Sequence, residues 1–192
     1  MRSKRRQFTS QQQQQAALDM LHQWREKYLP QCDGHLGIYW PSDGEIDPLP
    51  LAEYARSVGI RVYLPVLHPW RARQLWFLPF TDRTVLAPNR FGIPEPQDQH
   101  CRPIKAQQLG QVLMPLVAFD RQGGRLGMGG GFYDTTFAFK HHHPQRPQLI
   151  GLAHSAQEVA SLTLAPWDVP LDGVITEREW IVCQGSRSAK PF

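Results

Sequence analysis

The 192-residue chain has no run of about 18 consecutive apolar residues, so no membrane-spanning helix is expected. Its basic start, Met1-Arg2-Ser3-Lys4-Arg5-Arg6-Gln7, has no apolar stretch behind it and does not read as a secretory leader. Cysteine is scarce. Cys32, Cys101 and Cys183 are far apart and form no C-x-x-C pair, which argues against a zinc or dithiol motif. An odd cysteine count without a leader favours a reducing compartment, the cytoplasm. G-x-x-x-x-G-K-[ST] and G-x-S-x-G are both missing, so neither a Walker phosphate loop nor a hydrolase nucleophile elbow is expected. No repeat or linker divides the chain. One domain is expected over residues 1–184, with Gly185–Phe192 as a disordered tail.

What is there is globular: 41% hydrophobic and 20% charged residues. A net charge of +4 suits an anionic small molecule as readily as a nucleic acid. No nucleic-acid recognition motif is present, and the aromatics are not arranged as an RNA-stacking sheet requires, so a nucleic-acid partner is not expected.

Ala16, Ala17, Met20, Leu21, Trp24 and Tyr28 recur at helical spacing, which predicts an amphipathic helix over Gln11–Lys27, with Ser10 and Gln13 as its capping box. His35–Trp40 reads as a strand, Pro41-Ser42-Asp43-Gly44 as a turn, and Leu49–Val58 as a helix closed by Gly59. Strands are predicted at Arg61–Val66, Gln74–Leu78, Val112–Phe119 with an interruption at Pro115, Gln148–Ala153, Gly173–Thr176 and, at an edge, Trp180–Cys183. Thr81–Pro103 reads as an irregular excursion, and short helices are expected near Tyr133 and over Ala156–Leu162. Strands that are apolar throughout, alternating with helices, predict an α/β fold: an open, mostly parallel sheet with helices on both faces, a Rossmann-like three-layer α/β/α domain. Such sheets bind ligands beyond the carboxyl ends of their strands.

At that end of Val112–Phe119 the sequence runs D-R-Q-G-G-R-L-G-M-G-G-G-F-Y-D, from Asp120 to Asp134. Glycines let backbone N–H groups approach an anion, a following helix start adds positive potential, and Arg125 can contact phosphate. By itself the string is either an anion cradle or a glycine-rich strand-to-helix turn.

The string resembles the signature of the 5-formyltetrahydrofolate cyclo-ligase family, D-x-x-G-x-R-L-G-x-G-x-G-[FY]-Y-D. It matches at Asp120, Gly123, Arg125, Leu126, Gly127, Gly129, Gly131, Phe132, Tyr133 and Asp134. Val62-Tyr63-Leu64-Pro65-Val66, Gly151-Leu152-Ala153-His154 and Trp167-Asp168-Val169-Pro170 extend the resemblance over most of residues 1–182. It implies a ligase that closes 5-formyltetrahydrofolate to 5,10-methenyltetrahydrofolate, releasing ADP and phosphate, with ATP as co-substrate and Mg2+ required. The substrate is the folate, with or without a polyglutamate tail, and the chain acts as a monomer. A non-catalytic folate-binding or regulatory protein of the same fold is the alternative.

Carried over residue by residue, the resemblance gives Arg125 and Tyr133 catalytic roles. ATP is expected at Lys4, Arg5, Arg6, Arg125, Leu126, Gly127, Met128, Gly129, Gly130, Gly131, Phe132 and Tyr133. Folate is expected at Trp40, Glu45, Met128, Gly129, Gly130, Gly131 and Phe132. Trp40 offers an aromatic wall for the pterin and Glu45 an acceptor for its N–H groups. Asp134 and Asp168 stand at the family's magnesium positions, though Asp134 also suits a helix cap and Asp168 a turn. Two departures stand out. Met128 and Gly130 occupy loop positions where the family often has a lysine or arginine, and Lys4, Arg5 and Arg6 stand in for the family's basic N-terminal turn. The run His141-His142-His143 reads as a solvated loop, since consecutive side chains do not converge on one ion.

Overall fold

A computed structural model describes residues 2–27, 29, 32–97 and 101–183. Residues 98–100 of the predicted excursion and the predicted tail lie outside them.

The chain opens with α1 (Arg2–Arg5) and α2 (Ser10–Lys27), followed by β1 (His35–Gly37), α3 (Leu49–Ser57) and β2 (Arg61–Leu67). Then come β3 (Leu75–Pro79), the short pair β4 (Leu86–Pro88) and β5 (Pro94–Pro96), and β6 (Gln111–Pro115). A second small pair, β7 (Ala118–Phe119) and β8 (Arg125–Leu126), precedes α4 (Phe132–Phe137). The last strands are β9 (Gln148–Leu152), β10 (Gly173–Ile175) and β11 (Trp180–Val182).

Seven strands form the central sheet in the order β11-β10-β9-β6-β1-β2-β3. The inner strands run parallel, and the two edges, β3 and β11, pair antiparallel. Alternation along the strands supplies two cores. Val62, Leu64, Leu113 and Ile150 face Met20 and Trp24 of α2 and Leu51, Ala52 and Ala55 of α3. Val112, Met114, Leu149 and Phe77 face the other way, against Phe137 of α4 and Leu109. Both faces are therefore covered, as a parallel sheet demands. Trp24 is fully buried, and its indole donates to Gln111 Oε1 at 3.1 Å.

Several local expectations are corrected. The capping box is Thr9 with Gln12, not Ser10 with Gln13: Gln12 N donates to Thr9 Oγ1 at 3.2 Å and Thr9 N to Gln12 Oε1 at 2.8 Å. The strand predicted over Val112–Phe119 is interrupted at its proline as expected, ending after Pro115, which has no N–H to continue the ladder. Its remainder becomes β7, which folds back on β8. The excursion after Thr81 contains the β4–β5 hairpin, so it is not wholly irregular. The helix predicted over Ala156–Leu162 is only a 3-10 turn at Ser155–Gln157.

Candidate active site

The loops after β1, β6 and β9 all leave the carboxyl edge of the parallel strands, and each carries residues singled out in the sequence. The loop after β6 is built in two stages. Asp120–Gly124 is the tight turn of the β7–β8 hairpin. The buried Asp120 carboxylate holds it, accepting Gln122 N at 3.0 Å, Gly124 N at 2.8 Å and, from a distant segment, Leu162 N at 2.8 Å. Gly123 sits at φ 100°, and a Cβ there would lie 2.7 Å from the Leu171 carbonyl oxygen. Only glycine fits.

The second stage, Gly127–Gly131, is the exposed part. Gly129 and Gly131 adopt φ of 83° and 65°, and nothing lies within 4 Å of where their Cβ atoms would be. The backbone there faces open space. Met128 and Leu126 are 60% and 51% exposed, so neither belongs to the core. The helix-start contribution expected from the sequence is small, because α4 has only six residues. Any anion held here relies on the loop's own N–H groups and on Arg125.

Arg125 is not a free cation reaching into solvent. Its side chain is 6% exposed, its Nη2 is bonded to Asp134 Oδ1, and its Nε is buried with no partner among the described residues. Nη1 lies beneath Gly127, 3.9 Å from where a Cβ would be. Asp134 is not the helix cap. Gly131 occupies that position, and Asp134 is the third helical residue. Its Oδ1 also accepts Val169 N at 3.1 Å, which fastens the loop after β9 to the glycine loop. Asp168 is the neighbour of Val169 and shapes its own turn, its Oδ2 accepting Ala165 N at 2.8 Å. Asp134 thus meets the backbone one residue after Asp168, while Oδ2 of the first and Oδ1 of the second enter none of these bonds. Among the described residues no three His, Cys, Asp or Glu side chains cluster, His141–His143 included.

Across the site, the turn after β1 presents Glu45. Its Oε2 accepts Ser42 N at 3.1 Å, and Oε1 lies 3.6 Å from Arg5 Nη1. Burial raises its pKa above the usual Glu value, with the Ser42 bonds and Arg5 opposing the shift. Tyr39 and Tyr133 are both raised, first by burial and then by the charge of Glu45, which places all three in one neighbourhood. Tyr39 donates to Ile46 O at 2.6 Å, whereas Tyr133 stacks on Phe137 at 6.3 Å. Trp40 is half-buried, edge-on to Phe80 at 6.3 Å and packed on the α2–α3 core. Phe132 meets Phe91, at the tip of the β4–β5 hairpin, at 5.8 Å.

The basic N-terminus divides. Arg5 is fully buried, donating to Leu116 O at 2.9 Å and to Asp43 Oδ2 at 3.0 Å. Arg6 is 61% exposed and bonded to Asp43 Oδ1. The side chain of Lys4 lies outside the described set. Sequence reasoning gave Asp43 no role, and a D-G turn offers no sign of long-range arginine partners. His154, two residues beyond β9, is buried against Phe8, ring centroids 4.1 Å apart, with Nε2 3.1 Å from Gln13 Oε1; burial lowers its basicity.

The profile of the 5-formyltetrahydrofolate cyclo-ligase family matches residues 1–177. The 5-formyltetrahydrofolate cyclo-ligase of Escherichia coli K12 is 41% identical over 181 residues, covering 92% of this chain and 96% of the relative. That of Haemophilus influenzae is 37% identical over 161 residues, covering 84% and 81%. The solved structure of the Aquifex aeolicus 5,10-methenyltetrahydrofolate synthetase superposes with a TM-score of 0.79 at 23% identity, covering 99% of this chain and 92% of that one. At that identity it speaks for the fold alone. No helix among the described residues is long and apolar enough to cross a membrane.

Proposed function

This chain belongs to the 5-formyltetrahydrofolate cyclo-ligase family, and from that premise we infer that it closes 5-formyltetrahydrofolate to 5,10-methenyltetrahydrofolate at the expense of ATP. The observation that carries the reading is the glycine loop at 127–131, open at Gly129 and Gly131 and with Arg125 close to Gly127, in one neighbourhood with Tyr133 and the buried carboxylate of Glu45.

The chemistry asks for positioning. The formyl oxygen on N5 attacks the γ-phosphorus, and the bond to the β–γ bridging oxygen breaks, so ADP leaves with that electron pair. N10 then adds to the activated formyl carbon. Loss of phosphate and of the N10 proton completes the methenyl bridge. The protein must align two anionic reactants and offset their charge. Glycine N–H groups at 127–131 and Arg125, acting from beneath the loop, serve the phosphates. Tyr133 stays a neutral phenol and therefore a hydrogen-bond donor, because burial and Glu45 oppose its ionisation. Glu45 accepts the pterin's N–H donors, with Trp40, Met128 and Phe132 as apolar surface. The resemblance adds Lys4 and Arg6 as further cationic contacts for ATP.

A magnesium ion fits this donor set. Asp134 and Asp168 offer hard oxygens from neighbouring segments, and magnesium takes one or two carboxylates together with phosphate oxygens and water. Bound there, it would neutralise phosphate charge. We place the reaction in the cytoplasm and take the chain to act as a monomer on folates with or without a glutamyl tail.

The test is formation of the methenyl chromophore from 5-formyltetrahydrofolate by purified protein, with ATP present or omitted. Product only with ATP supports the reading. Folate binding without product would instead favour a non-catalytic binder.

A further inference from the structure

The buried guanidinium of Arg5 has more partners than an ATP contact needs. It bonds Leu116 O at 2.9 Å and Asp43 Oδ2 at 3.0 Å, and its Nη1 lies 3.6 Å from Glu45 Oε1. Leu116 directly follows β6, at the root of the hairpin that carries the glycine loop. Asp43 and Gly44 form a turn with φ of 52° and 73°. That turn is held on several sides. Arg6 takes the other Asp43 oxygen, and Gln13 Nε2 donates to Gly44 O at 3.1 Å. The Arg5 backbone presses so close that a Cβ on Gly44 would stand 3.0 Å from Arg5 O. A planar fork with fixed donors joins such groups in a set geometry that a flexible ammonium does not reproduce.

We propose that Arg5 is a positioning residue that orients the Glu45 carboxylate toward the pterin and ties it to the base of the glycine loop. The proposal rests on the reading of this cleft as a folate site. Because Oε2 of Glu45 is held by Ser42 and Oε1 faces Arg5, the carboxylate is fixed at both ends. The groups that face it are Arg5 and Ser42, which favour its charged form, and Asp43, which opposes it. Tyr39 and Tyr133 share its surroundings as neutral phenols. Removing the Arg5 charge leaves burial and Asp43 less opposed, so Glu45 protonates at higher pH.

The experiment compares wild type with Arg5→Met and Arg5→Lys in steady-state kinetics, varying each substrate from acidic to alkaline pH. Arg5→Met should raise KM for the folate roughly tenfold or more while KM for ATP stays within about threefold. The acidic limb of kcat/KM for the folate should move to higher pH, and Arg5→Lys, which restores charge without the fork, should recover part of both effects. In a Glu45→Gln background, Arg5→Met should add less than about a twofold further change. A rise in KM for ATP alone would make Arg5 a nucleotide contact and overturn the proposal. So would equal loss for both substrates with an unmoved acidic limb, the mark of a purely structural role. If Arg5→Met does not fold, Arg5→Lys must still shift the acidic limb, or the proposal fails. Equilibrium titration with 5-formyltetrahydrofolate, read by tryptophan fluorescence, decides the role of Arg5 without turnover. Absence of ATP-dependent ring closure in the wild type counts separately, against the functional reading.

Discussion

Replacing Arg125 with Met removes the charge opposite Asp134 while keeping an apolar stem. The Arg125 side chain is 6% exposed and that of Asp134 20%. Breaking a buried pair by removing one partner costs about 3–5 kcal/mol, because the other charge is left behind. Here two things soften the loss. Asp134 keeps the Val169 N–H, and the buried Nε of Arg125, without a partner among the described residues, disappears with the substitution. A net cost of about 2–3 kcal/mol is therefore expected. For a chain of 192 residues this lowers Tm by roughly 4–12 °C. Urea unfolding of Arg125→Met, Asp134→Asn and the double variant isolates the pair. The coupling should be about 1–3 kcal/mol, as for residues in direct contact. A coupling below about 0.5 kcal/mol would refute the claim that the pair holds the loop together.

Other outcomes follow from neighbouring contacts. Gly123→Ala should destabilise by roughly 3 kcal/mol or more in urea melts, since its φ of 100° and the Leu171 carbonyl both oppose a Cβ; a change under about 1 kcal/mol would contradict this. Asp134→Asn should lower turnover by about two orders of magnitude and shift the magnesium titration to higher concentration, because an amide is a poorer ligand for a hard dication. An unchanged magnesium dependence would leave Asp134 as a structural partner of Arg125 and Val169. The acidic limb of kcat/KM for the folate should lie above the ordinary Glu range, since burial favours the protonated form of Glu45 and folate recognition needs the ionised one. Tyr133, shifted upward, should add no alkaline limb near neutrality.

Much of the fold was legible because the signal was local. Met20 and Trp24 marked the buried face of α2, and the apolar runs of β2, β6 and β9 marked strands covered on both sides. The glycine string was legible for the same reason, since Gly123, Gly129 and Gly131 do adopt positive φ. What escaped depends on distant partners. Pro115 marked an interruption, but nothing near it told that the chain would fold back as β7 and β8. Arg125 read as a lone loop cation because its partner, Asp134, looked like a cap or a metal ligand. Arg5 read as one of three basic ATP contacts, since its partners lie 38, 40 and 111 positions away, at Asp43, Glu45 and Leu116. A buried arginine cannot be told from a solvated one in a basic run.

The most direct measurement follows methenyl formation and phosphate release together, in one reaction of the purified chain with ATP and 5-formyltetrahydrofolate. If the glycine loop and Glu45 hold both substrates in one site, each ring closed releases one phosphate, and omitting the folate silences phosphate release. Phosphate release that ignores the folate, or ring closure without ATP, would contradict the account.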